Sequence, residues 1–236
     1  MAITRIKVSN FKSFDELEVD LRPLNVLVGG NASGKSNFLD IFRFLRDMVT
    51  LGIENALSLQ GGIEFLANFQ APSEPISFDV VIAEGGRYRL SLRVSKESPG
   101  YEVMEDVYVT GGRIKCRRVL EGISFFDFDP KLPKKGSPMT GKADLEPDGS
   151  NLAVVLKNLL RNRERRENFL LLLRDLLPFV QDLKVESFSD RSPLILLKET
   201  FRGPYIPAAF LSDGTLHMAA LVLALYFDRS YLTILE

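Results

Sequence analysis

Eight consecutive residues carry the strongest chemical pattern in the chain: Gly29-Gly30-Asn31-Ala32-Ser33-Gly34-Lys35-Ser36. Glycine stands first and sixth, lysine seventh and a hydroxyl eighth, which is the spacing of a phosphate-binding loop. Gly29 and Gly34 let the backbone curl so that successive N–H groups point inward, where polyphosphate oxygens can accept them. Lys35 supplies positive charge for the β and γ phosphates, and the Ser36 hydroxyl is the natural ligand for Mg²⁺. The chemistry implied is the binding of a nucleoside triphosphate. No Asn/Thr-Lys-x-Asp run for reading guanine occurs, which favours ATP over GTP. Lys12, ahead of Ser13-Phe14, is either a further phosphate contact or an ordinary hairpin lysine.

These residues need a strand before them and a helix behind. Strand-like runs at 4–9, 17–21 and 24–28 lead into the loop. After it, Phe38, Leu39, Phe42, Leu45 and Val49 recur at helical spacing, with one buried stripe. Residues 76–83, 87–94, 101–109 and 113–119 read as strands of an antiparallel meander, punctuated by paired Gly85-Gly86 and Gly111-Gly112. The stretch 127–149, rich in Pro, Lys, Gly and Asp, reads as an exposed connection. Helical patterns follow at 152–160, behind a Ser150 or Asp148 cap, and at 169–177. Extended segments lie near 183–188 and 193–198, a further helix at 216–227, and a last apolar strand at 231–235.

The chain has 236 residues, with 45% in the hydrophobic set and 26% charged. That is enough for one large domain with a buried core, and it excludes a disordered or fibrous chain. Thirty basic residues against 31 acidic give a formal charge of −1, which denies the protein a global electrostatic claim on DNA or a membrane. The lone Cys116 cannot form an intrachain disulfide, the ordinary usage in a reducing cytosol. The lone His217 excludes a histidine metal cluster and reads as a helix-surface or packing residue. The N-terminus lacks an apolar signal core, and no apolar run reaches about 18 residues, so a cytoplasmic protein without a membrane partner is expected. Two local features stay open. Arg161, Arg163, Arg165 and Arg166, with Lys131, Lys134 and Lys135 as a second local patch, form either a nucleic-acid surface or ordinary solvated faces, and Phe125, Phe126 and Phe128 either an exposed stacking site or core anchors.

The opening Ile6-Lys7-Val8-Ser9-Asn10-Phe11-Lys12-Ser13-Phe14, and the run Leu24-Asn25-Val26-Leu27-Val28 continuing through the loop to Asn37, resemble the ATPase heads of the SMC, RecF and OLD-like group. Asn31 and Asn37 are part of that resemblance. Phe126-Asp127-Phe128-Asp129-Pro130 and residues 145–153 are similar to bacterial predicted ATPases of the group. Leu211-Ser212-Asp213-Gly214-Thr215 resembles the ABC-family signature, with Asp213 and Thr215 where glycine and glutamine are usual. Taken as residues alone, Ser212 to Thr215 also read as a plain helix cap.

The resemblance implies an α/β P-loop NTPase of ABC/SMC-head type, with an antiparallel meander and a helical signature-bearing subdomain. A single truncated head over 1–236 is expected, with the meander and connection at 76–149, the helical region at 150–227 and the C-terminal part absent. It implies a phosphate site made by Gly29, Gly30, Asn31, Ala32, Ser33, Gly34, Lys35, Ser36 and Asn37, with Lys12 nearby. Ser212 and Gly214 would reach the γ-phosphate held by a second head, so an ATP-dependent homodimer or a complementary ATPase chain is expected. Glu236, after the strand Leu232-Thr233-Ile234-Leu235, would hold Mg²⁺ with Ser36 and act with Lys35 in catalysis. The family's attacking-water glutamate would come after Glu236, and loss of a positioned acid-base group lowers rate by about 10²- to 10⁴-fold. Weak hydrolysis is therefore the expectation. The implied role is an ATPase in DNA maintenance or foreign-DNA defence, with a nuclease or DNA partner. A non-hydrolytic nucleotide-binding regulatory or structural module is the alternative.

Overall fold

Alternating burial builds the middle of the first sheet, along Ile76–Ile82 and Gly86–Val94. Strand β1 (Ile3–Phe11) turns into β2 (Phe14–Asp20), and β3 (Ile76–Ile82), β4 (Gly86–Val94) and β5 (Tyr101–Thr110) run as a meander. The spatial order is β2-β1-β3-β4-β5, antiparallel throughout. Along β3 every second residue is buried, from Ile76 to Ile82, as a half-covered sheet requires. The computed structural model describes residues 2–95, 100–110, 112–135, 144–187, 192–201 and 203–236. These fall into two units, Met1–Ile123 with Ser230–Leu232 and Ser124–Arg229 with Thr233–Glu236.

In the first unit, α1 (Lys35–Leu51) buries Ile41, Phe42, Phe44, Leu45, Met48 and Val49, one face at helical period. Phe44 stacks on Phe78 of β3 with ring centroids 5.4 Å apart, and Phe78 meets Phe11 of β1 edge-on at 5.5 Å. Burying each such ring stabilises the unit by about 1.5–3 kcal/mol relative to exposure. This packing anchors α1, and with it the end of the phosphate loop, to the sheet. Gly52, at φ 88°, ends α1 with its N–H on the Met48 carbonyl. Two short helices, α2 (Ile53–Leu59) and α3 (Ile63–Leu66), follow.

Two expected strands are not strands. Residues 24–28 form no strand, and Leu24, Val26 and Val28 are 82%, 78% and 86% exposed. The local order there is a side-chain turn in which Asn25 Nδ2 donates to the Arg22 carbonyl and Asn25 Oδ1 accepts from the Arg22 N–H. An apolar run becomes a strand only beside a partner that takes its N–H and C=O groups, and no described strand lies beside this one. Residues 113–119 belong to α4 (Arg113–Glu121). Its buried residues are Cys116, Val119 and Leu120, an i, i+3, i+4 stripe, and Arg117 bonds Glu121 one turn on at 2.6 Å. The buried Cys116 thiol donates to the Thr110 carbonyl at 3.6 Å, and burial pushes its pKa up.

The second unit holds α5 (Leu152–Leu160), α6 (Arg163–Leu176) and α7 (Asp213–Tyr226), with the antiparallel sheet β7 (Val180–Ser187), β8 (Pro193–Glu199) and β9 (Tyr205–Pro207). Strands β6 (Ile123–Phe126) and β10 (Leu232–Leu235) pair with each other. One apolar core joins Leu156, Phe169, Leu183, Ile195, Leu216 and Leu223. Asn162 separates α5 from α6 by accepting the Arg165 N–H as a cap. Position 151 caps α5, where Ser150 or Asp148 was expected. The Asn151 side chain instead ties down the preceding loop, accepting from the Glu146 N–H and donating to the Asp144 carbonyl.

The phenylalanine run resolves toward the core, while the arginine cluster stays at the surface with ion-pair and ring partners for three of its four members. Phe125, Phe126 and Phe128 are buried, and the last two stack at 5.2 Å. Arg163 pairs with Glu167, Arg166 with Asp182 at 2.7 Å, and Arg165 lies over the Phe227 ring. Within the expected connection, residues 136–143 lie outside the described residues. No described helix is long and apolar enough to cross a membrane.

Candidate functional site

The loop ahead of α1 is shaped by two close approaches. A Cβ on Gly29 would sit 2.5 Å from the Ser33 hydroxyl, which would have to rotate away, and 3.3 Å from the Ser33 Cβ. Gly34 has φ 91°, a left-handed conformation, and a Cβ there would also meet the Phe14 ring at 3.3 Å. Ala32, between them, is also left-handed at φ 61°, and Ser33 N–H reaches the Gly30 carbonyl at 3.4 Å. The curl predicted from glycine spacing is therefore present at Gly34, and it is continued through a non-glycine residue.

Lys35 is the first residue of α1, and its ammonium turns back over the loop, donating to the carbonyls of Gly29 at 2.8 Å and Gly30 at 2.6 Å. Helix α1 has no side-chain cap and no acid in its first turn. Its leading N–H groups keep their partial positive charge, and the exposed Ser36 hydroxyl lies next to Lys35. Asn37 donates to the Ser13 hydroxyl at 2.8 Å, linking the helix start to the first hairpin. Asn31, Ala32 and Ser33 are exposed along the loop.

Lys12, at φ 47° in that hairpin, directs its ammonium to Asp40 at 2.6 Å and to Gln60 at 2.8 Å. Its side chain is only 18% exposed, and its partners are protein groups. Phe14, Asp40 and Gln60 are contributors that motif spacing does not show. Phe14 supplies the wall that Gly34 must clear, and Asp40, one helical turn beyond Ser36, holds Lys12.

In the second unit, Ser212 caps α7: its hydroxyl accepts from the Thr215 N–H at 3.1 Å and lies 2.7 Å from the Thr215 hydroxyl. Asp213 faces Lys134, with an N–O distance of 2.5 Å, and that hydrogen bond holds its carboxyl below the usual carboxylate range. A Cβ on Gly214 would meet nothing within 4 Å. His217 packs edge-on against Phe128 at 5.8 Å. Glu236 follows β10, with its N–H on the Phe126 carbonyl. Lys134 belongs to the lysine patch read from sequence, and its pairing with Asp213, 79 positions away, is what spacing does not show.

The donor set of the loop fits a polyphosphate, because the curled backbone, the uncapped start of α1 and Lys35 all favour an anion. For Mg²⁺ the fit is partial. Ser36 is available, while no cluster of three His, Cys, Asp or Glu occurs among the described residues. Such an arrangement suits an ion held chiefly by phosphates and water.

The family model described as the AAA ATPase domain matches residues 1–77. A DNA replication and repair protein RecF from Desulforudis audaxviator is 43% identical over 68 residues, covering 24% of this chain and 19% of the relative. RecF from Halalkalibacterium halodurans is 31% identical over 97 residues, covering 37% and 25%. RecF from Lactococcus lactis subsp. lactis is 41% identical over 46 residues, covering 19% and 13%. The chain thus spans a quarter or less of each of these relatives. It carries an ATP-binding P-loop domain of α/β type, related in sequence to the RecF proteins.

Proposed function

We propose that the chain is an ATP-Mg²⁺-binding head whose nucleotide-dependent pairing, with a second copy or a complementary ATPase chain, drives a larger assembly acting on DNA. The observation that supports it most is the start of α1, where a left-handed Gly34, uncapped amides and Lys35 converge on one loop. On binding, Lys35 exchanges the two loop carbonyls for β and γ phosphate oxygens, and the amides from Gly30 to Ser36 take the remaining charge. Mg²⁺ would neutralise charge on the phosphates, with Ser36 as its ligand from this loop. Glu236 as a second ligand, and Ser212 with Gly214 as contacts to a partner's γ-phosphate, rest on the sequence resemblance.

The test is titration with a fluorescent ATP analogue with and without Mg²⁺, together with sedimentation and phosphate release. Binding that needs Lys35 is expected, with Lys35→Ala weakening it by roughly 10- to 100-fold, the loss of one or two charged hydrogen bonds. Nucleotide-driven association should fail in Ser212→Arg. Absence of ATP binding by the unaltered protein rejects the reading, and association without phosphate release assigns a regulatory role in place of an ATPase cycle.

A further inference from the structure

The outer face of the first unit's sheet changes charge sign from strand to strand. Strand β2 contributes Glu16, Glu18 and Asp20, β1 contributes Arg5 and Lys7, β3 contributes Asp79, β4 contributes Arg87 and Arg89, and β5 contributes Glu105. Ion pairs cross three of the four strand boundaries, with Arg5 to Asp20 at 2.6 Å and Lys7 to Glu16 at 2.5 Å between β1 and β2, Arg87 to Asp79 at 2.5 Å between β4 and β3, and Arg89 to Glu105 at 3.9 Å between β4 and β5. Arg5 reaches toward β2 and Lys7 lies opposite Asp79 in the register, so the basic strand β1 sits between two acidic ones. The same holds for β4, between Asp79 and Glu105.

The alternation stops at β5, the edge strand. From Tyr101 to Thr110 this strand carries Glu102, Glu105 and Asp106 and no Lys or Arg. Its ten residues leave Val103, Met104, Val107 and Val109 between 42% and 51% exposed. Among the described residues no strand pairs with its far side. A long edge bearing exposed β-branched residues is a template for another strand. Edge β2, at the other side of the sheet, has no such apolar content: its outward residues are the acids already paired with β1.

A cavity of about 320 Å³ opens beside the inner face of β5, walled by Met48, Ile53, Val103, Asp106 and Tyr108 with Arg113 and Arg117, so that it suits an uncharged side chain and leaves the basic ones to the outer face. The register places Val103 opposite Leu92, Asp106 opposite Leu90 and Tyr108 opposite Tyr88, all on the core side. One wall is fixed, because the buried Tyr88 hydroxyl donates to Asp106 at 2.9 Å and the two tyrosine rings lie 4.8 Å apart. A strand added to β5 would drop one inward side chain into this space.

We propose that the β5 edge is a docking site for an extended, basic peptide segment of a partner protein, which pairs its backbone with β5, sets Lys or Arg against Glu102 and Glu105, and seats one long side chain in the cavity. This is β-strand addition, in which main-chain bonds supply affinity and alternate side chains supply specificity. Charge selects the occupant. A second copy of β5 pairing with the first would bring the acids at 102, 105 and 106 toward their own counterparts, and like charges on facing strands destabilise. A basic strand continues the sign alternation of the sheet by one step. The proposal is separate from the nucleotide reading, since it uses no residue of the phosphate loop.

The test uses the unaltered chain and two synthetic ten-residue peptides at about 0.15 M salt, one alternating Lys with Val and Tyr, the other with Glu in place of Lys. Fluorescence anisotropy measures affinity, and amide hydrogen exchange locates the contact. The basic peptide is expected to bind at least 10-fold more tightly and to slow exchange in residues 101–110 while leaving β2 unchanged. In the double variant Glu102→Lys with Glu105→Lys, the preference should reverse toward the acidic peptide, with unchanged exchange in β3 showing that the sheet is intact. Equal binding of both peptides, protection elsewhere than β5, no protection at all, or a preference that survives the double variant each overturns the proposal. Protection of β5 that grows with protein concentration and needs no peptide would overturn it in favour of self-association.

Discussion

Helix α1 starts on Gly34 with no side chain over its first amides and no acid in its first turn, whereas α7 starts on Ser212, whose hydroxyl takes the Thr215 amide, and carries Asp213 in that turn. Both sequences place a hydroxyl and a glycine at a helix start, so both read as anion sites. The difference lies in what the chain itself already satisfies. At α1 the backbone amides carry no side-chain cap, and the nearby cation is held by neutral carbonyls, which the proposed phosphate would have to outcompete. At α7 one amide is capped internally, and an acid stands there with Lys134 as its counter-charge. A helix N-terminus is therefore a binding site to the extent that its own side chains decline it. If α7 serves a partner's phosphate, it does so with Lys134 cancelling Asp213.

The comparison breaks most sharply at Gly34. Gly34→Val must abandon φ 91° and collides with Phe14, so ATP affinity should fall by roughly 100-fold or more, with about 1–3 kcal/mol lost in stability from forced backbone strain. Titration calorimetry and chemical denaturation check both; near-normal ATP affinity in a folded variant would mean that the loop does not need its left-handed turn. A smaller effect is expected at Ser212→Ala, about 1 kcal/mol of stability from the lost cap, with ATP affinity of the isolated chain unchanged. An affinity loss there would mean that α7 serves the chain's own nucleotide.

The smallest effect should be electrostatic. Asp213 is held below its ordinary value of 3.8 by Lys134, so its contribution is complete above that value and fades as pH falls through the lower folded one. Lys134→Met should raise the Asp213 titration toward 3.8 and shrink this acid-side loss, as read by NMR titration of the carboxyl. An unmoved titration would leave the acid without its counter-charge and remove the argument that α7 can face a phosphate.

The alternation of Ile76, Phe78, Val80 and Ile82 made β3 legible, because one covered sheet face imposes period two on the sequence itself. The phosphate loop was legible for a similar reason, since φ 91° at Gly34 is a local demand on one residue. Residues 113–119 misled because Ile114 and Cys116 mimic a strand's alternation, while the helical stripe is completed only by Val119 and Leu120. The run 24–28 misled for a different reason. Its residues favour a strand, but strand formation is decided by a partner elsewhere in the chain, and composition cannot report that. Lys12 with Asp40, and Asp213 with Lys134, were invisible for the same cause: pairs 28 and 79 residues apart have no short-range signature.

The clasp between Lys35 and its own loop carbonyls cross-braces the loop with the same amine that the proposed nucleotide would take over. Whatever occupies the site first has to evict this tenant, so a measured dissociation constant reports an exchange of partners. Small anions that offer one oxygen have little to outbid two carbonyls, whereas a chain of phosphates offers several at once, and the loop can discriminate length before it discriminates base.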